Sequence, residues 1–262
     1  MQSDGVRVHG ASGQPVLLLP GGAEACDGFF PGLVEGLADC RVIVHDRPGT
    51  GTSAVDGTLA GAADHLSDLI DRLGCGPVVV VGQSLGGAVG VLLARAHPEQ
   101  VAGLVLLDPT IVNDPRTCAL LERMTRVLGA LASVPGVRGV LTRLLRASIV
   151  RSTRKQHLRP DCEAAQLKMA DIDIPQLARA VRGITEVSRG LREPDLPRVP
   201  AVVVTADRKP ATAMRRGHER LATAFGGRVV SWPGATHGVH LDHPDETLAT
   251  VRELVGQVNA KA

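Results

Sequence analysis

Tyrosine is absent from this chain of 262 residues, and aromatic residues of every kind make up 2% of it. Stacking recognition of single-stranded nucleic acid needs aromatic platforms, so no nucleic-acid partner is expected. No apolar run approaches the roughly 18–20 residues of a membrane-spanning helix, so no integral membrane segment is expected either. Residues 1–5 lack a basic region followed by an apolar stretch, which argues against a signal peptide. The five cysteines, Cys26, Cys40, Cys75, Cys118 and Cys162, are scattered, odd in number and form no CxxC pair. Neither a disulfide framework nor a zinc site is expected from them, and a reducing cytoplasm is the expected location.

What is present begins with hydrophobic residues, 44% of the chain, enough for a sizeable core. The net charge of +2 says little, but its distribution is uneven: residues 116–159 hold ten basic residues and one acid, Glu122. A block of this kind either lies on a solvated face or forms an interaction surface, such as one that recruits an anionic substrate.

Nearly continuous runs of Val, Leu and Ile at 16–19, 41–45, 77–81 and 103–107 suit parallel strands covered on both faces. Helical patterns fall between them at 31–38, 60–73 and 85–97. Strand patterns return at 201–205 and 228–232, with helices at 211–225 and 245–258. The alternation predicts an α/β fold with a mostly parallel central sheet flanked by helices. Between the halves, residues 110–197 show no strand signal and read as helices at 116–131, 137–150, 163–169 and 174–189. The expected division is a core of 1–109 and 198–262 with a helical cap of 110–197 inserted over the sheet's carboxyl edge. Apolar residues such as Val127, Leu131, Val134 and Leu144 are expected to pack that cap on the core or to line a pocket.

The strand at 77–81 runs into Gly82-Gln83-Ser84-Leu85-Gly86-Gly87, a G-x-S-x-G pattern between a strand and a helix. A serine on so sharp a turn projects its hydroxyl above the sheet, and side chains at 82 and 86 would crowd the turn. Ser84 is the candidate nucleophile. The helix that starts there presents free N–H groups to a developing oxyanion.

With this motif the chain resembles the α/β-hydrolase superfamily over nearly its whole length. Four segments carry the resemblance in the family's order: Leu17-Leu18-Leu19-Pro20-Gly21-Gly22, Asp46-Arg47-Pro48-Gly49-Thr50-Gly51-Thr52-Ser53, residues 82–87, and Gly234-Ala235-Thr236-His237. The resemblance implies a serine hydrolase with a Ser-His-Asp triad and a cap domain. His237 would be the base, and His240 is its rival. Leu85 and Gly22 would supply the oxyanion N–H groups, although Pro20 stands where the family commonly has histidine. Residues 46–53 read as scaffold. Two acids stay open. Asp207 follows the strand at 201–205, where most relatives carry the acid, yet reading Ala206 as the family's glycine puts Lys209 at the acid position. Asp108 ends the strand at 103–107, where some relatives carry it. Serine at the elbow argues against epoxide hydrolase or dehalogenase chemistry, which uses aspartate there. The implied reaction is cleavage of a carboxylic ester, thioester or lactone in a small-molecule acyl substrate, with no metal or organic cofactor. Carbon–carbon bond hydrolysis, acyl transfer or non-catalytic ligand reception on the same scaffold are the alternatives.

Overall fold

The computed structural model describes residues 5–171 and 173–261; Met1–Asp4, within the stretch read for a leader, lie outside them. Seven strands form one sheet: β1 (Val6–His9), β2 (Pro15–Leu19), β3 (Arg41–His45), β4 (Val78–Gln83), β5 (Val101–Leu107), β6 (Ala201–Thr205) and β7 (Arg228–Ser231). Their order is β1-β3-β2-β4-β5-β6-β7. The edge strand β1 runs antiparallel to β3, and the other strand pairs are parallel.

The continuous apolar runs have the burial predicted for them. Leu17, Leu19, Val80, Leu104, Leu106 and Val203 face one side, against α2 (Ala62–Leu73), α3 (Leu85–Ala96) and α9 (Ala213–Phe225). Leu18, Val42, Val44, Val79, Val81 and Val105 face the other, against α1 (Leu33–Gly36) and α11 (Pro244–Asn259). Alternation along each strand sends successive side chains to opposite faces, so only an apolar residue at every position fills both layers. The strand β1 was not legible in the sequence: it is short, and three of its four residues are exposed.

Between β5 and β6 lie five helices: α4 (Pro115–Ala132), α5 (Val137–Gln156), α6 (Pro160–Lys168), α7 (Ile174–Val181) and α8 (Ile184–Gly190). The single helix expected over 174–189 is broken in two at Gly183, which has φ 83°. The Glu122 carboxylate stabilises the break by accepting the N–H of Gly183 at 2.9 Å and the hydroxyl of Thr185 at 2.5 Å. The lone acid of the basic block thus caps a helix start. On α4 and α5 the expected packing of apolar cap residues is met unevenly: Leu128, Leu141 and Leu145 are half-buried, whereas Val127 and Leu144 are 51% and 65% exposed. With Leu120, Met124 and Leu131, Val127 forms a stripe along the outer side of α4, at spacings that keep one helix face. A short helix, α10 (Val239–Asp242), precedes α11. Among the described residues no helix is long and apolar enough to cross a membrane.

Three histidines, His45, His218 and His240, are buried. Burial is the first cause that lowers their pKa values, to about 4 for His45, with His65 adding to it, and to about 3 for His240, with His237 adding to it. In the unfolded chain a histidine titrates near 6.5. As the pH falls below that value the unfolded chain takes up protons while the folded chain does not, so stability is present above about 6.5 and declines toward the folded values. Melting temperatures should therefore fall as the pH drops from about 6.5 to 4, a loss on the order of a few kcal/mol. A midpoint constant across that interval would contradict the burial of neutral imidazoles.

Candidate active site

The carboxyl ends of the parallel strands meet at one edge of the sheet, and the candidate residues gather there. Ser84 follows β4 with φ 50° and ψ −117°, a backbone conformation that non-glycine residues rarely adopt. Neighbouring backbone holds it: its N–H donates to the Leu107 carbonyl at 3.1 Å, and its carbonyl accepts the Thr110 N–H at 2.9 Å. A Cβ at Gly82 would strike the backbone of Gly86, and one at Gly86 would strike the Leu19 and Pro20 carbonyls. Both glycines of the motif are therefore required by close backbone approach.

His237 lies in the loop after β7. Its Nε2 stands 2.9 Å from Ser84 Oγ, and its Nδ1 stands 2.6 Å from Asp108 Oδ2. A carboxylate only accepts, so Nδ1 carries the proton and the Ser84 hydroxyl donates to Nε2. The loop is held from two sides. Gln83 Nε2 donates to the His237 carbonyl at 2.9 Å, and the Asp242 carboxylate accepts the Thr236 N–H at 2.6 Å and its hydroxyl at 2.7 Å. The rival imidazole, His240, is buried and stacked on Phe29 with ring centroids 4.8 Å apart, and makes no hydrogen bond to Ser84.

Of the two candidate acids, the structure brings only Asp108 to the imidazole. Asp207, the other acid left open above, is turned to its neighbouring loop. Its Oδ2 accepts the Gly234 N–H at 2.9 Å and its own N–H donates to the Ala235 carbonyl at 2.8 Å, so it props the loop that carries His237. No hydrogen bond or ion pair joins Asp207 to the ring among the described residues. Asp108 is 1% exposed and has φ 44°. Its Oδ1 accepts the Ala206 N–H at 2.9 Å and a bond from Arg208 Nη1, and Arg208 Nη2 donates to Oδ2 at 2.6 Å. Burial works against the charged carboxylate. The hydrogen bonds from His237 and Arg208, the charge of His237 and the Ala206 N–H outweigh it, and the Asp108 pKa lies well below the usual range.

Arg208 was not found from sequence. Its signal is indirect: a cation occupies the segment where the resemblance expects an acid, and its fork reaches across to the acid on the neighbouring strand. Two further neighbours also carried no local signal. Gln83 is buried beneath His237, and Thr110 Oγ1 lies 3.5 Å from Ser84 Oγ.

Gly22, with φ 53°, lies in the loop after β2, and its carbonyl accepts a bond from the buried Arg47 at 3.2 Å. Asp46 accepts the Cys26 N–H at 2.6 Å and both the N–H and hydroxyl of Thr52 at 2.8 Å. These contacts agree with a scaffold reading of residues 46–53. Leu85 opens α3 directly after Ser84. Beside His237 lies a cavity of about 630 Å³, lined by the Gly21–Ala25 loop, by residues of α5, α6 and α7, and by His240. Among the described residues no three His, Cys, Asp or Glu side chains cluster as a metal site requires, and all five cysteines are free thiols.

Comparison with known proteins identifies the family to which this fold belongs. Residues 16–250 match the model of the Alpha/beta hydrolase family. Lipase LipV of Mycobacterium tuberculosis is 36% identical over 132 residues, 50% of this chain and 48% of that protein. The putative carbamate hydrolase RutD of Serratia proteamaculans is 33% identical over 111 residues, 40% of this chain and 42% of that protein. The chain thus matches about half, or less, of the length of these curated relatives. A thermophilic esterase from Thermogutta terrifontis superposes with TM-score 0.74 at 27% identity, over 97% of this chain and 93% of that one. MenH from S. aureus shares the fold, with TM-score 0.79 at 13% identity over 98% and 100% of the two chains. With a sheet of this order and a family match that spans most of its length, the chain belongs to the alpha/beta hydrolase family.

Proposed function

We propose that this chain is a serine hydrolase that cleaves a carboxylic ester, thioester or lactone through an acyl-Ser84 intermediate. The observation that carries the reading is the continuous hydrogen-bonded line from the Ser84 hydroxyl through both His237 nitrogens to a buried carboxylate. The names lipase and esterase borne by two of the similar proteins support ester chemistry.

In the proposed reaction, His237 Nε2 takes the Ser84 proton as Oγ attacks the substrate carbonyl. The N–H groups of Gly22 and Leu85 receive the oxyanion. Collapse of the tetrahedral intermediate breaks the acyl C–O or C–S bond, and the departing alkoxide or thiolate takes the proton from Nε2 and becomes the alcohol or thiol. Water, deprotonated by the same nitrogen, then attacks the acyl-serine, and the carboxylic acid leaves with Ser84 restored. Asp108 keeps the proton on Nδ1 and stabilises the imidazolium that forms transiently. Arg208 holds Asp108 in the orientation this requires. The helices α4–α8 act as a cap, of which α5, α6 and α7 contribute one wall of the cavity.

A fluorophosphonate probe is expected to label the native protein and not the Ser84→Ala variant. No labelling where a control hydrolase reacts would overturn the reading in favour of a non-catalytic receptor. Asp108→Asn should lower kcat by roughly three to four powers of ten, because it reverses the tautomer preference of the imidazole. Asp207→Asn, which loosens only a loop contact, should stay within about tenfold of native. Equal losses from the two variants would reverse the acid assignment.

Replacing Arg208 removes two of the donors that hold Asp108 in place. Arg208→Met should lower kcat by about tenfold or more, and Arg208→Lys should recover only part of the loss, because one ammonium does not reproduce the two-pronged bond. A native kcat in Arg208→Met would remove Arg208 from this positioning role.

A further inference from the structure

The cavity beside His237 has a charge character opposite to that of the helices around it. All ten basic residues of 116–159 are exposed, and no Lys or Arg lines the cavity. Its lining includes three carboxylates, Glu24, Asp171 and Asp173. Two of these are already answered. Asp171 Oδ1 accepts from Arg146 at 2.7 Å, and Asp173 lies 3.6 Å from Arg138 while capping α7 through the Gln176 N–H at 3.0 Å.

Glu24 differs from both. Among the described residues its carboxyl has neither a hydrogen-bond nor an ion-pair partner. Lys168 acts on it only at longer range, its Nζ donating instead to the Asp27 carbonyl at 3.1 Å. Burial pushes the Glu24 carboxyl up to about 7 against the pull of Lys168. Two further cavity groups lack partners. Gln156 Oε1 is buried without a donor, and neither ring nitrogen of His240, itself 3% exposed, makes a hydrogen bond of acceptable geometry. Burial keeps His240 neutral, although the Phe29 backbone weakly favours its protonated form. The Gln156 and His240 atoms are sealed within the wall, whereas the half-buried Glu24 carboxyl lines the cavity, where a bound group can satisfy it.

We propose that Glu24 is a specificity-determining residue that receives an ammonium group of the substrate, so that the enzyme prefers cationic esters to anionic ones of the same size. The inference rests on the hydrolase reading above and names the substrate class of the same site. An ammonium supplies the charge and the N–H donors that the Glu24 carboxyl lacks. A substrate carboxylate or phosphate would meet the Glu24 carboxylate with no cavity cation to offset it. The basic block therefore does not recruit an anion into this cavity: its cations face solvent.

The test uses p-nitrophenyl esters of one acyl length that end in an ammonium, a methyl or a carboxylate, and acetate esters of alcohols ending in the same three groups. In at least one series the native enzyme should favour the ammonium over the methyl ester by about tenfold in kcat/KM, the size of one partly buried charge pair. The carboxylate should be the poorest substrate. In Glu24→Gln the ammonium-to-methyl ratio should fall toward one, and Glu24→Asp should recover part of it. Because each ratio is taken within one variant, a general loss of structure does not mimic this result. Titrating Ser84→Ala, with and without Glu24→Gln, with the same esters reads the preference as binding and needs no turnover. A preference for the carboxylate, or an ammonium preference unchanged by Glu24→Gln, overturns the inference. If the fluorophosphonate labels Ser84 while the charge ratios stay flat, this inference alone fails. If binding shows the charge preference while labelling and turnover are absent, the hydrolase reading fails, and Glu24 is left as an ammonium-binding residue and not as a determinant of substrate choice.

Discussion

A carboxylate sealed from solvent is tolerated only when its charge is answered, and at Asp108 it is answered from three directions. The imidazole of His237 arrives from the loop after β7, the fork of Arg208 from the end of β6, and the Ala206 N–H from the backbone beside it. Behind the carboxylate, His218 closes the site, its Nε2 donating to the Pro109 carbonyl at 2.8 Å. Two of the donors follow β6 and the third follows β7, so the charge of one buried group at the end of β5 draws three strand ends into a fixed relation. The position of His237 over Ser84 is a product of that arrangement as much as of its own loop.

The legible parts of the molecule were those whose cause is local. A strand covered on both faces must be apolar at consecutive positions, and β2, β3, β4, β5 and β6 announce themselves in that way. The elbow is local too, because Gly82 and Gly86 are required by backbone contact within a few residues of Ser84 or with the adjoining loop. The choice between Asp108 and Asp207 is not local. Both end neighbouring parallel strands, and only the direction each side chain takes from its strand end decides which meets the ring. That direction is fixed by Arg208 and by the left-handed backbone at Asp108, neither of which leaves a mark in local composition. The break between α7 and α8 was hidden for a similar reason, since its cap, Glu122, comes from a helix some sixty residues earlier. The apolar stripe of α4 misled in the opposite sense: its spacing is that of a packed face, yet among the described residues it stays exposed.

Charge is sorted across the inserted helices by side. Arginines crowd their solvent face, while the surfaces turned toward Ser84 carry amides and carboxylates. Two of those carboxylates, Asp171 and Asp173, are joined to Arg146 and Arg138 of α5, so the two populations are linked at the cavity rim. Net charge over the segment is thus a poor guide to the field inside it. The cavity experiences the groups that line it at short range, and the outer cations are screened by water.

Ser84 and Asp108 share one further property: both stand at positive φ, and both are tied through β5 and its immediate neighbours by backbone hydrogen bonds, Ser84 to Leu107 and Asp108 to Val204. The sheet therefore sets the distance between the hydroxyl and the carboxylate as part of its own framework. His237, 58% exposed on a loop, belongs to no such framework. The imidazole that joins them is thus the member of the line most open to solvent, while the backbone positions of the hydroxyl and the carboxylate on either side of it are set by the sheet.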